Sequence, residues 1–325
     1  MKLSQLRKDL VSGDWIVVAP KRGLRPHEIG GRHRRVRAPK ASCPFERPEH
    51  PLLEIRNRRR WTVQVIPNKF PAFVHRDVCS ALRAVGPYTV TDGIGHHDVL
   101  VTRDHNRDFP DLPLGDARDL FRAFQDRYLM LMGDTCLEYI SMFHNWGKTA
   151  GASVYHPHYQ MIAIPVVPPD FEHSLRGALS YARTRGTCVH CAMIRWERQE
   201  RSRVVFENGG AIAFAPFLSR SAFEVRVFPK RHTPFFEHTP EQELGDIVQA
   251  LHAVLRMVAR SLRDPDYNFF IHTAPIKRRR AYQAYHWHIE VLPKTNVSAG
   301  FELGTGIEIN PVDPDEAARI LRRGR

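Results

Sequence analysis

Residues 153–165, SVYHPHYQMIAIP, set two histidines on either side of a proline and a glutamine two residues further on, at the mouth of an apolar strand. Side chains alternate along an extended chain, so His156 and His158 point to one face and Gln160 lies on the face of His158. A related segment, YHWHIEVLP, returns at 285–293. Working outward from the two copies uncovers an internal repeat. In the first half, CPFE (43–46), the strand-like HHDVLVTRDH ending at His105, the helical GDARDLFRAFQDRYLMLM and the strand-like EYISMFHN precede HPHYQ. In the second, CVHC (188–191), FEVRVFPKRH ending at His232, the helical PEQELGDIVQALHAVLRMVARSL and YNFFIHTAP precede HWHIE. The proline-rich IPVVPPDF separates them, with the join between about Pro165 and Thr187, so the expected halves are 1–170 and 171–325.

The elements follow from period. Ile247, Leu251, Val254, Leu255, Val258 and Leu262 recur at helical spacing, and Thr239, Pro240 and Gln242 read as a cap, a first-turn proline and a capping-box partner. FEVRVF and HIEVL alternate as half-buried strands do. The expected fold class is α+β, two tandem halves that are each a mostly antiparallel sheet with packed helices.

Composition narrows the class of protein. The chain has 325 residues, 42% hydrophobic and 26% charged, the balance of a soluble globular protein. No apolar run approaches the ~20 residues of a membrane helix, and the N-terminal MKLSQLRKDLVSGDW lacks an apolar signal core, so a cytoplasmic protein without membrane contact is expected. Of the five cysteines only Cys188 and Cys191 form a close pair, which argues for metal ligation rather than a disulfide framework. A net charge of +13 and the runs RHRRVRAPK (32–40) and RNRRRW (56–61) raise nucleic-acid binding as a rival reading. No groove-reading helix or RNA-binding motif accompanies them, and the same charge suits small phosphorylated substrates.

The repeat spaces four ligand-type residues alike. The intervals are 62 and 51 residues for Cys43, His105 and His156, against 44 and 54 for Cys188, His232 and His286. Cys188, Cys191, His232 and His286 make a closed set of the structural zinc type. In the first half Glu46 stands where the repeat places a second cysteine; Cys43, Glu46, His105 and His156 either bind metal with the carboxylate completing the shell or form a degenerate site without it. In both cases His156 is structural, which leaves His158 to react.

A neutral imidazole attacks phosphorus well when one ring nitrogen gives its proton to a fixed acceptor and the other keeps its lone pair. Gln160 can donate to a phosphate oxygen but cannot protonate a leaving group. A sugar 1-phosphate leaving a nucleotide sugar needs little such help, so the glutamine favours transfer between phosphates over hydrolysis of nucleotide amides. Upstream, Asn145, Gly147, Gly151 and Ser153 supply small polar residues suited to close approach of a phosphate.

With these residues in place the chain resembles, along almost its full length, the hexose-1-phosphate (galactose-1-phosphate) uridylyltransferase family of the histidine-triad superfamily. The matching pieces are DWIVVAPKRGLRP, CPFE, VIPNKFPA, HHDVLVTRDHN, NWGKTAGASVYHPHYQ, FLSRSAFEVRVFPKRH, IHTAP, YHWHIEVLPK and AGFELGTGIEINP. The resemblance implies two histidine-triad-like halves and a ping-pong mechanism through a nucleotidyl-histidine, with His158 as nucleophile and Gln160 as its phosphate-holding partner. It places Arg22, Arg25, Asn68, Asn145 and Ser153 among the nucleotide and phosphate contacts. Gly300, Phe301 and Glu302 fall in the segment that reaches the sugar, which in this family comes from the other subunit of a homodimer. Glu46 and Tyr159 depart from the family's usual cysteine and glycine or serine. Some relatives hold a second metal through a glutamate, here Glu172, with histidines that match His272, His286 and His288. The expected activity is transfer of a nucleoside monophosphate, UMP first, between hexose 1-phosphates; the rivals are an ADP-sugar phosphorylase and a non-catalytic nucleic-acid-binding module.

Overall fold

A computed structural model describes residues 3–24, 37–57 and 60–325. Arg25, residues 32–36 of the first arginine-rich run and Arg58 and Arg59 of the second lie outside the described residues. In chain order the elements are β1 (Gln5–Lys8), β2 (Trp15–Val18), β3 (Leu53–Asn57), β4 (Arg60–Pro67), β5 (Arg83–Val85), β6 (Tyr88–Val90), β7 (His96–Thr102), α1 (Leu114–Leu131), β8 (Tyr139–Trp146) and β9 (His158–Ile164). They continue with α2 (Pro169–Arg185), α3 (Val189–Glu200), β10 (Val204–Glu207), β11 (Ala211–Phe214), β12 (Val225–Pro229), α4 (Glu241–Ser261), β13 (Tyr267–His272), β14 (His288–Pro293), α5 (Gly300–Thr305), β15 (Ile309–Asn310) and α6 (Pro314–Arg323). The fold is α+β, as the periodicities predict.

Ten strands form one sheet in the order β10-β11-β12-β14-β13-β8-β9-β7-β4-β3. Read from its centre, β13-β14-β12-β11-β10 mirrors β8-β9-β7-β4-β3, so the sequence repeat becomes a two-fold repeat of one sheet. The halves join through the antiparallel β8–β13 ladder, Tyr267 opposite Trp146 and Ile271 opposite Met142. Tyr159, Met161 and Ala163 of β9 and Ile289 and Val291 of β14 enter a core shared with Leu120, Phe121 and Phe124 of α1 and Ile247, Leu251 and Val254 of α4. Strand alternation therefore turns His158, Gln160, His288 and Glu290 to the opposite face. Over the second half that face is covered by α2 and α3, whose Phe171, Leu175 and Val189 pack with Tyr139 and Tyr285. The first strands pair with each other and, through β2, with β15 in a separate three-stranded sheet.

Two expectations change. Helix α4 starts at Glu241 with Pro240 in the capping position and no side chain accepting there; the hydroxyl of Thr239 is buried without a hydrogen-bond partner. Pro240 adopts extended backbone and lacks a donor, which moves the helix start one residue beyond the threonine. The second change is a disulfide, Cys79–Cys136, across a sequence separation of 57. It fastens the long connection that carries β5 and β6 to the turn after α1, and closing a loop of that length contributes about 4 kcal/mol in the chain-entropy treatment.

Candidate active site

The turn into β9 is built by backbone requirements. Gly147 and Gly151 have φ of 84° and 92°, the left-handed region that glycine enters without penalty. Asp266 holds the turn between them, accepting from Thr149 N at 2.8 Å and Thr149 Oγ1 at 2.7 Å. The chain then reaches His156 just before the strand and His158 at its first position.

His158 is 7% exposed and lies beside Phe45, with ring centroids 5.2 Å apart. Its Nδ1 is 2.9 Å from the carbonyl oxygen of His156, which can only accept, so Nδ1 carries the proton and Nε2 keeps the lone pair. Burial holds its pKa down to about 4, and the ring is neutral near pH 7.

Beneath the strand, His144 Nδ1 donates to the carbonyl oxygen of His158 at 2.8 Å and His144 Nε2 meets Asp108 Oδ1 at 2.9 Å. Tyr267 donates to Asp108 Oδ2 at 2.5 Å. His144 and Asp108 are both buried, and Tyr159 stacks on His144 at 4.2 Å with no exposure of its own. The tyrosine that departs from the family pattern thus points into the core, away from the face that carries His158. Replacing His144 by Leu leaves the Asp108 carboxylate buried with a single partner and is expected to destabilise the fold by about 3–5 kcal/mol. Equilibrium denaturation measures it, and adding Asp108→Asn should recover part of the loss; an unchanged midpoint for His144→Leu would refute this account of the network.

Gln160, half-buried, faces the same side as His158, and its Oε1 is 2.9 Å from His97 Nε2. Asn68 Nδ2 lies 3.0 Å from the same His97 nitrogen. Asn145, on the adjacent strand where His144 stands opposite Tyr159, accepts from Asn268 at 2.8 Å through Oδ1. The structure thus gathers His158 and Gln160 on β9, Asn145 on the adjacent β8, and Asn68 just beyond the end of β4. Ser153 is exposed in the turn ahead of them. Arg22 is exposed in the short helical turn Pro20–Leu24, and Phe301 and Glu302 sit on the exposed helix α5. Main-chain N–H groups at the start of α5, with Arg22 adding its charge, hold the Glu302 carboxyl below its usual range. His97, His144 and Asp108 are functional-site neighbours that the motifs did not single out.

Both ligand sets assemble. Cys188, Cys191, His232 and His286 bring one ligand atom each within 4.8 Å of the others, as do Cys43, Glu46, His105 and His156. In the second half His232 Nε2 donates to Gln283 O at 2.7 Å and His286 Nε2 to Pro229 O at 3.0 Å. That turns both Nδ1 atoms to Cys191 Sγ, at 3.3 and 3.5 Å, where a single thiol proton cannot serve both. In the first half His105 Nε2 donates to Ala38 O and His156 Nε2 to Thr102 O, leaving the two Nδ1 atoms 3.2 Å apart. Glu46 Oε1 is buried there without a hydrogen-bond partner, 2.8 Å from His105 Nδ1. Lone pairs converging in this way, each fixed by a carbonyl behind it, fit a bound cation. The alternative through Glu172 does not assemble, because that residue is exposed on α2 and its carboxylate reaches Arg176 at 4.0 Å.

The repeat carries a counterpart of His158. His288 Nδ1 donates to His286 O at 3.2 Å, as His158 does to His156. Here Glu290 takes the place of Gln160, lies 3.3 Å from His272 and 3.9 Å from Arg226, and lines a cavity of about 250 Å³ together with Phe171. A buried carboxylate at that position opposes a phosphate, so only the first half keeps the transfer geometry.

Two histidine-bearing half-sheets fused through one ladder, one with a lone-pair imidazole beside a carboxamide and each with a metal-type ligand cluster, define a tandem histidine-triad protein. The chain belongs to the family of galactose-1-phosphate uridylyltransferases and ADP-glucose phosphorylases, a family of enzymes. It is 32% identical to the ADP-glucose phosphorylase of Arabidopsis thaliana over 98% of this chain and 92% of that one. It is 27% identical to the galactose-1-phosphate uridylyltransferase of Thermotoga maritima, over 98% of each. The structure of the Arabidopsis thaliana ADP-glucose phosphorylase with bound ADP-glucose superposes with a TM-score of 0.84 at 30% identity, covering 99% of this chain and 98% of that one. A uridylyltransferase structure gives 0.77 at 29%, with the same coverage. Residues 121–323 also match the model of a domain of unknown function, DUF4921. Among the described residues no helix is long and apolar enough to cross a membrane.

Proposed function

We propose that the protein moves a nucleoside monophosphate from a nucleotide sugar to a phosphate acceptor through a covalent intermediate on His158. The observation that carries this reading is the fixed tautomer of His158, a buried neutral ring with Nδ1–H committed to the His156 carbonyl and Nε2 left as a nucleophile. Nε2 attacks the α-phosphorus, an N–P bond forms, the bond to the bridging oxygen breaks, and sugar 1-phosphate leaves as an anion that needs no proton. The charge arising on the ring is stabilised through Nδ1–H and the carbonyl. An acceptor phosphate oxygen then attacks the same phosphorus, the N–P bond breaks and the neutral ring returns. Gln160 and Asn145 donate to the phosphate oxygens, with Arg22, Arg25, Asn68 and Ser153 completing the nucleotide and phosphate contacts. Zinc in the Cys188, Cys191, His232, His286 set, and in the Cys43, Glu46, His105, His156 set, acts structurally by fixing the loops that frame the sheet ends. Phe301 and Glu302 would reach the sugar site of a second subunit, a role that the 48% exposure of Phe301 supports.

For the donor and acceptor, the similarity to the plant enzyme, higher than to the Thermotoga maritima one, supports an ADP-sugar with inorganic phosphate as acceptor. The uridylyl reaction between hexose 1-phosphates is the second reading, favoured by the full-length match to that uridylyltransferase. Incubation with ADP-glucose or UDP-glucose, each with phosphate or galactose 1-phosphate, separates them. ADP-glucose with phosphate should release ADP and glucose 1-phosphate fastest. Turnover confined to UDP-glucose with galactose 1-phosphate would select the second reading, and no turnover in any pairing would remove both.

A further inference from the structure

The geometry points to His97 as a positioning residue that sets the direction of the Gln160 carboxamide toward the transferred phosphate, an inference that rests on the nucleotidyl-transfer reading above. His97 stands near the start of β7, where its partner across the ladder is Ile162, two residues beyond Gln160. Its Nδ1 is 3.1 Å from the main-chain nitrogen of Ala72. A main-chain N–H only donates, so Nδ1 holds a lone pair and the single proton of the neutral ring sits on Nε2.

That proton decides which way Gln160 faces. Nε2 lies 2.9 Å from Gln160 Oε1, so the amide oxygen accepts from the ring and the amide nitrogen keeps both hydrogens for a ligand. A carboxamide turned over by half a rotation would present its oxygen to the phosphate and repel it. Asn68 is fixed from the same loop, its Oδ1 accepting from Phe70 N at 2.9 Å. Its Nδ2 lies 3.0 Å from His97 Nε2, a nitrogen that already bears hydrogen, so the ring offers the asparagine no acceptor and the orientation of Asn68 comes from the Phe70 N–H. Two main-chain N–H groups, at positions 70 and 72, thereby set the donor direction of both side chains.

The test compares His97→Phe, which keeps a ring and loses the donor, with His97→Gln, whose amide can donate over a similar reach. His97→Phe should lower kcat roughly 10- to 100-fold, with a smaller change in KM for the nucleotide sugar, since one misdirected donor weakens transition-state stabilisation more than binding. His97→Gln should recover most of the loss, and His97→Phe should add nothing in a Gln160→Ala background. Unchanged kcat in His97→Phe, or effects that multiply with Gln160→Ala, would overturn the role. Nitrogen-15 ring spectra of the wild-type protein, assigned by loss of the signals in His97→Phe, give a readout independent of turnover. The proton should sit on Nε2 and its shift should move in Gln160→Ala; a proton on Nδ1 would overturn the inference. A wild-type protein that turns over no nucleotide sugar yet shows the Nε2 tautomer would instead remove the transfer reading, and with it the catalytic role of His97, while leaving the hydrogen bond in place.

Discussion

His158→Ala is expected to lower nucleotide-sugar turnover by roughly ten-thousand-fold or more while leaving the fold intact, because the covalent route has no other nucleophile. The ring is buried against Phe45, but the strand that carries it is held by main-chain bonds and by His144 below it. Circular dichroism and melting should therefore change slightly. The decisive measurement uses nucleotide sugar labelled in the α-phosphate. Wild-type protein should retain an acid-labile label that base does not release, as an N–P bond requires, and His158→Ala should retain none. Label that persists in the variant would place the intermediate elsewhere. His288→Ala provides the contrast. Its ring has the same backbone hydrogen bond, but Glu290 and Arg226 stand beside it, so turnover should fall only as far as stability does.

Cys191→Ala is expected to have the largest effect on stability. The two Nδ1 atoms of His232 and His286 point at Cys191 Sγ, and removing the sulfur deprives the cluster of a ligand that both rings face. Structural zinc binding is worth about 10–16 kcal/mol in small zinc domains, so even partial loss of that stabilisation should lower Tm by more than about 10 °C. Elemental analysis should show one metal fewer per chain. Glu46→Gln probes the first cluster, where a neutral amide keeps the shape and weakens the ligand, and a smaller fall in Tm is expected. A Cys191→Ala protein with unchanged metal content would show that these thiols and imidazoles are held by hydrogen bonds alone.

Much of the site is legible in residue spacing because the same order of elements and ligand-type residues occurs twice. HPHYQ and HWHIE, the two ligand sets and the strands and helices between them all announce themselves by interval, and an element with a strong period changes little under tertiary packing. One miss is local and the other two are long-range. Thr239 reads as a cap from its neighbours, yet the extended backbone of Pro240 displaces the helix start. Cys79 and Cys136 are 57 residues apart and nothing local pairs them. His97 is 63 residues from Gln160, and its role depends on a loop N–H that fixes which ring nitrogen bears the proton. The His96–His97 pair at a strand start becomes a usable signal only with the β7–β9 register in hand.

Residue type and interval were enough to fix the α+β class and the duplication, to single out two clusters of ligand-type residues that the fold brings together, and to nominate His158 as the nucleophile proposed above. Three-dimensional packing was needed to show that the halves share a ten-stranded sheet, that Tyr159 points into the core and that the second half holds a carboxylate paired with arginine where the first holds a carboxamide. Direction was the missing quantity. Which face a side chain takes and which nitrogen carries a proton are set by hydrogen-bond partners brought from distant parts of the chain, and spacing along one strand does not contain them.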